Sequence, residues 1–189
     1  MAHINSIGAG VFSDLSVYNG TTVDFTTTDT SAEFAALFGT ANDTPGAATF
    51  TRIKNVREFP AMGVPPNIVN VPTYGQKSSQ QVQGQSDAPN MEITLNYVPN
   101  DWASTSVLGG MVGDGKLHVF RFALLNSEPT ATDATQYAST VGGLGSVQNT
   151  VYYWIGKIEA VQVNPQLTDA NTATVTISIQ SKFYGAFTH

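Results

Sequence analysis

In Met91-Glu92-Ile93-Thr94-Leu95-Asn96-Tyr97, every second side chain is apolar and the residues between are polar. That period of two is the signature of a strand with one face in a core and the other in water. Immediately before it, Gln76-Lys77-Ser78-Ser79-Gln80-Gln81-Val82-Gln83-Gly84-Gln85-Ser86-Asp87-Ala88-Pro89 carries almost no apolar side chain. Such a segment cannot order itself by burial and is expected to need a partner. The whole connection it belongs to, 72–89, is 18 residues and exceeds an ordinary strand connection, and loops of that length are usually functional or disordered.

Working outward, Asn100 or Asp101 is placed to cap a helix carrying Trp102, Val107 and Leu108 and closed by Gly109-Gly110. Gly113-Asp114-Gly115 then turns the chain into a strand over Lys116–Leu125, and two long strands close the chain, Val151–Val163 and Thr172–Phe183. In the last, Ala173, Val175, Ile177 and Ile179 alternate with Thr172, Thr174, Thr176, Ser178 and Gln180. Toward the N-terminus, Asn19-Gly20 suits a two-residue turn and predicts a hairpin of Ser16–Tyr18 with Thr21–Phe25. Thr30-Ser31-Ala32-Glu33 has capping-box spacing and predicts a helix over 31–38, its Phe34, Leu37 and Phe38 directed into a core or a subunit contact. Strand character runs from Thr49 to Glu58, is broken at Pro60, Pro65 and Pro66, and resumes at Asn67–Val71. Residues 40–48 and 127–147 are small, polar and turn-rich, as surface excursions are. The expected class is all-β, β-rich with one or two short helices: a two-sheet antiparallel sandwich or barrel in one domain over 1–189.

The 189 residues carry a net charge of −6, only 12% of them are charged, and none is cysteine. A disulfide framework and a thiolate metal site are thereby excluded. Average globular chains are about 25% charged, and a surface of Thr, Ser, Gly, Asn and Gln packs against other copies without desolvating ions. Eight basic residues, three of them Arg52, Lys54 and Arg57 beside Glu58, make a poor phosphate-binding face. No run of about 18 apolar residues occurs, so no membrane-spanning helix is expected.

The sequence shows no catalytic constellation. Gly110–Leu117 approaches the phosphate-loop pattern, but Leu117 stands where Ser or Thr should hold the magnesium, and the context is helix, turn, strand. His3 and His189 are terminal and His118 stands alone on a strand; Glu92, Asp101, Asp114 and Glu159 show no spacing that pairs two of them in a cleft. No enzyme activity, cofactor or metal is expected. Tyr152-Tyr153-Trp154 could serve a carbohydrate-binding sandwich as a sugar platform, although core packing is the simpler role. The glycosylation sequons at Asn19 and Asn42 are taken as chance matches.

The order of elements resembles the tail tube (major tail) proteins of long flexible-tailed bacteriophages. The matching pieces are Gly8-Ala9-Gly10 with Leu15, Val17, Tyr18 and Gly20; Thr51-Arg52-Ile53-Lys54-Asn55-Val56; Gly75-Gln76-Lys77-Ser78; Glu92–Pro99; Leu117–Phe122; and Trp154-Ile155-Gly156-Lys157. The likeness spans nearly the whole chain and lies in the order of the pieces. It implies hexameric rings stacked into a hollow tube, found in the virion tail after synthesis in the host cytoplasm. Genomic DNA passes through that tube without specific binding. The implied partners are other copies, the tape-measure protein, and terminator and initiator proteins. The long loop, 62–90, would bridge subunits and rings, making Lys77, Gln80, Gln83, Gln85 and Asp87 its contact residues. Glu92 is the first candidate for a bore-facing carboxylate. Six copies at −6 each put −36 on a ring, which discourages DNA from adhering. A C-terminal immunoglobulin-like domain found in some relatives is not expected. A secretion tube of the type VI kind, passing effectors rather than DNA, is the alternative in the same fold.

Overall fold

The computed structural model describes residues 13–20, 23–28, 30–38, 50–61, 68–72, 74–75, 77–78, 80–83, 90–125 and 150–185. The expectations for residues 40–48 and 127–147, for Gly8–Gly10, and for Pro65, Pro66, Gln85 and Asp87 lie outside them. In chain order the elements are β1 (Ser13–Tyr18), α1 (Ser31–Phe38), β2 (Phe50–Arg52), β3 (Val56–Glu58), β4 (Ile68–Val71), β5 (Gln80–Gln83) and β6 (Met91–Asn96). There follow α2 (Val107–Met111), β7 (His118–Leu124), β8 (Thr150–Asn164), β9 (Thr172–Ile179) and β10 (Tyr184–Gly185). The fold is antiparallel and β-rich, as expected, with both short helices present.

One sheet runs β2-β1-β7-β8-β9-β6-β3, with β10 added beside β8. Its two edge strands, β2 and β3, are consecutive in the chain. Ile53 N donates to Leu15 O at 2.8 Å and Asn96 N donates to Asn55 O at 2.8 Å, so Ile53-Lys54-Asn55 spans from one edge of the sheet to the other. Three residues reach at most about 10 Å. The sheet is therefore curled into a barrel, and the two layers of the expected sandwich are its opposite walls. Thr49–Glu58, expected as a single strand, is thus two strands at opposite edges. The corner is Asn55 at φ 61°, a conformation that asparagine tolerates better than most side chains.

Inside the barrel, the alternating residues anticipated for the strands meet: Ile93 and Leu95, Phe120, Trp154, Ile158, and Ala173, Val175 and Ile177 are all buried. β1, β7 and the first half of β8 are covered on their outer face too, by α1. Phe34 and Phe38 pack there on Val119, Ala123, Val151, Tyr153 and Ile155. Burial on both faces explains why β7 and the first half of β8 are nearly continuously apolar in sequence, whereas β1 keeps Asp14 and Ser16 on its covered face. The helix starts as its sequence indicates. Glu33 N donates to Thr30 Oγ1 at 3.3 Å, and Glu33 Oε2 accepts from Thr30 N at 3.0 Å. Thr30→Ala is expected to cost about 1 kcal/mol, measurable as a lower urea midpoint with unchanged slope.

Two local expectations are corrected. The Asn19-Gly20 turn does not lead into a hairpin strand: β1 is flanked by β2 and β7. Residues 23–28 form a turn instead, because the Asp24 carboxylate accepts from Thr26 N at 2.9 Å and Thr26 Oγ1 at 2.6 Å, offering the backbone a local alternative to a ladder. Those bonds, the Thr26 hydroxyl first, hold the Asp24 carboxyl below its ordinary value of 3.8. A depressed folded-state value means that the turn's contribution is present above pH 3.8 and is lost as the pH falls through the lower value. NMR titration of Asp24 should give a midpoint below 3.8, returning toward it in Thr26→Ala. The second correction concerns α2, which is capped by Ser106, whose Oγ accepts from Gly109 N at 3.0 Å, rather than by Asn100 or Asp101. Gly109 lies within that helix because a Cβ there would stand 2.0 Å from Ala103 O.

Candidate assembly surface

The segment expected to lack order of its own contains a strand. β5 pairs antiparallel with β4, in register from Ile68 opposite Gln83 to Val71 opposite Gln80. A glutamine-rich strand is permitted here because the ladder is made by main chain, whatever the side chains. Among the described residues these two strands form a sheet of their own, outside the barrel. A lone two-stranded ribbon is at best marginally stable in water. This one also leaves Val69 and Val71 exposed at 47% and 43%, and near its tip Tyr74 stands wholly in solvent.

Of the residues assigned to this arm by sequence, Lys77 is exposed close to Tyr74 and Gly75. Gln80 and Gln83 hold the two ends of β5. Glu92 is exposed on β6, opposite Thr176. Its face of the barrel is the outer, hydroxyl-rich one. Register aligns Glu58, Thr94, Thr174 and Gln162 in one row and Glu92, Thr176 and Ala160 in the next. At the β8 bulge Glu159 Oε1 accepts from Ser178 Oγ at 2.6 Å. The structure does not bring Glu92 together with the arm in any bond it records.

A second unfinished margin was not foreseen. β7 accompanies β8 only from Thr150 to Gly156, whereas β9 accompanies it from Gly156 to Asn164. Beyond Ile158, whose carbonyl accepts from Gly113 N at 2.8 Å, no described strand pairs with the other side of β8. Ile158, Val161 and Val163 stand opposite Ile177, Val175 and Ala173, alternate residues of β9. Alternate residues of a strand turn their main-chain groups to the same side. The Ile158 carbonyl points away from β9, so Val161 and Val163 also turn their N–H and C=O groups away from β9, to a side where no described strand pairs. Val163 is itself 42% exposed, and Leu167 at the tip of the β8–β9 connection is fully exposed.

One other expectation changes, and core packing of the central aromatics, the simpler of their two roles, is what the structure has. His118 is not alone: its Nε2 lies 3.1 Å from Asp114 Oδ2, at the wall of a cleft of about 450 Å³ lined also by Tyr18, Phe25, Met111 and Leu117. Among the described residues no group of three or more His, Asp or Glu gathers as a metal site would require. Tyr152, Tyr153 and Trp154 cannot form a sugar platform, since they are 6%, 2% and 0% exposed, and burial pushes the Tyr152 phenol above its ordinary value. Trp154 stacks on Phe120 at 5.5 Å inside the barrel, while Tyr153 faces α1.

A solved structure of an extracellular contractile injection system, described as the PVC sheath/tube terminator in the extended state, contains a chain that superposes with a TM-score of 0.54. The alignment covers 97% of this chain and 99% of that one at 8% identity. The PVC sheath-tube complex in the extended state contains another, at a TM-score of 0.51 and 10% identity, covering 97% and 94%. The likeness is one of fold. No protein-family profile and no curated protein matches the sequence. No described helix is long and apolar enough to cross a membrane.

Proposed function

We propose that this chain is a non-catalytic structural protein of a phage-tail-like particle, which self-assembles into rings that stack as a tube. The observation that carries this reading is the β4–β5 ribbon: two short strands bonded only to each other among the described strands, with Val69, Val71 and Tyr74 in solvent. A monomer gains nothing from displaying them, whereas a neighbouring copy would bury them. The whole-length likeness to chains in sheath-tube structures supports the same reading. In the tube the ribbon, with Lys77, Gln80 and Gln83, bridges copies, and the hydroxyl-rich face bearing Glu58, Glu92 and Glu159 turns to the bore. Rings are six-fold and pass DNA, as in the long flexible-tailed phages whose tube proteins the sequence resembles, with tape-measure and terminator proteins as partners.

A second reading, a ring that ends a tube rather than extends it, is favoured by the likeness to a chain of the structure described as a terminator, 99% of which aligns. Negative-stain microscopy of purified protein at rising concentration separates the two. Tubes that lengthen support the first, annuli that never stack support the second, and monomers at every concentration refute both.

A further inference from the structure

The open side of β8 has a counterpart in the ribbon. β4 offers Val69 and Val71, two residues apart and exposed, flanking Asn70; β8 offers Val161 and Val163, also two residues apart, flanking Gln162. Neither Ile68–Val71 nor Ala160–Asn164 contains a charged residue or a proline; the nearest prolines, Pro65, Pro66, Pro72 and Pro165, lie outside the paired residues. Exposed edges are normally blunted by lysine, proline or covering elements. Within these segments both edges lack lysine and proline, and no described strand pairs with either on its outer side. Their lengths agree, at four and five residues.

Resting on the self-assembly reading, we propose that β4 of one copy adds as a strand to the open edge of β8 in a second copy. Valine pairs then form on one face and amide side chains meet on the other. Main-chain bonds to Val161 and Val163 supply the affinity, and the two-residue valine spacing sets the register, since a slip by one residue would place each valine opposite an amide. The contact is heterologous: donor and acceptor edges are different surfaces of the same chain, so it propagates around a ring instead of ending at a dimer.

The chain has no cysteine, so every thiol in a test is an introduced one. Double variants Val69→Cys/Val163→Cys and Val71→Cys/Val163→Cys, assembled and then oxidised with copper phenanthroline, are expected to give a ladder of covalent oligomers on non-reducing gels. Cross-strand Cα atoms at about 5 Å lie within disulfide reach. Single variants should stay monomeric on the gel. If tubes or rings form and neither double variant cross-links, the strand addition is wrong and the assembly reading stands. Failure of all assembly overturns both. A Val163→Cys single variant that forms dimers as efficiently as the doubles would show two β8 edges meeting each other, and would also overturn the proposal. As a second arm, Val163→Pro removes an N–H that faces away from β9. It is expected to keep the parent circular dichroism while sedimentable protein falls about tenfold or more, the equivalent of about 1.4 kcal/mol. Normal assembly of a folded Val163→Pro contradicts the proposal.

Discussion

Replacing the β4–β5 ribbon, residues 68–83, by a short Gly-Ser linker is expected to leave a folded barrel that no longer assembles. The barrel should survive because the two cores draw on β1, β2, α1, α2 and β6–β9, while Val69, Asn70 and Val71 of the ribbon are exposed. Its closure at Ile53–Asn55 lies upstream of the deletion and its β6 ladder downstream. A linker of different length changes the loop-closure cost only by tenths of a kcal/mol per few residues, so thermal melting should move by a few degrees at most. Assembly, in contrast, loses the exposed Val69, Val71 and Tyr74 and all main-chain bonds of both strands. Fully burying a valine is worth about 1.5 kcal/mol or more, and about 1.4 kcal/mol is tenfold in an equilibrium. The sedimentable fraction should therefore fall by orders of magnitude. Tubes of normal length from the deleted protein would show that the ribbon is dispensable.

The largest stability effect is expected at Arg121. Its guanidinium is 2% exposed beneath α1, 4.5 Å from the Phe38 ring and 4.3 Å from the Phe50 ring, with Nη2 donating to Ser16 Oγ at 3.4 Å. Asp14 lies on the same side of the sheet, accepting from Ser16 Oγ at 2.8 Å and 3.7 Å from Arg52 Nε. Arg121→Ala removes the filler between helix and sheet, both ring contacts and a buried positive charge close to a buried carboxylate. Each mechanism alone costs a kcal/mol or more, and together about 3–5 kcal/mol is expected. Arg121→Met keeps most of the volume and should recover more than half of the loss. Urea unfolding followed by tryptophan fluorescence checks both, because Trp154 lies on the opposite face of the same sheet. Equal losses in the two variants would mean that charge matters and packing does not.

These two sites mark where the sequence was and was not legible. β6 and β9 were plain because one face of each is wet, which imprints Ile93-Thr94-Leu95 and Val175-Thr176-Ile177 with a period of two. α1 was plain because Thr30 and Glu33 announce its start by a reciprocal hydrogen bond. Ile53-Lys54-Asn55 gave no warning of a corner, since it has neither glycine nor proline and continues the strand-like composition on both sides. β5 was hidden for another reason: Gln80-Gln81-Val82-Gln83 has no apolar face, and a main-chain ladder leaves no mark on side chains. Arg121 was visible as a cation in the middle of Val119-Phe120-Arg121-Phe122, yet only the fold shows that α1 covers it. At the candidate surface, the alternation of Met91–Tyr97 put Glu92 on the wet face where the structure has it. The open margin of β8 needed the unequal lengths of β7 and β9 along it.

Amide hydrogen exchange on dilute and assembled protein tests most directly whether a single copy is structurally incomplete. In dilute solution the amides of 68–71, 80–83, Val161 and Val163 should exchange rapidly while those of Ile93, Phe120 and Val175 are protected; in assembled material the first group should slow by about a hundredfold or more, matching contacts of roughly 3 kcal/mol. Equal and strong protection of the first group in the dilute monomer would contradict the account, for the chain would then be complete without its neighbours.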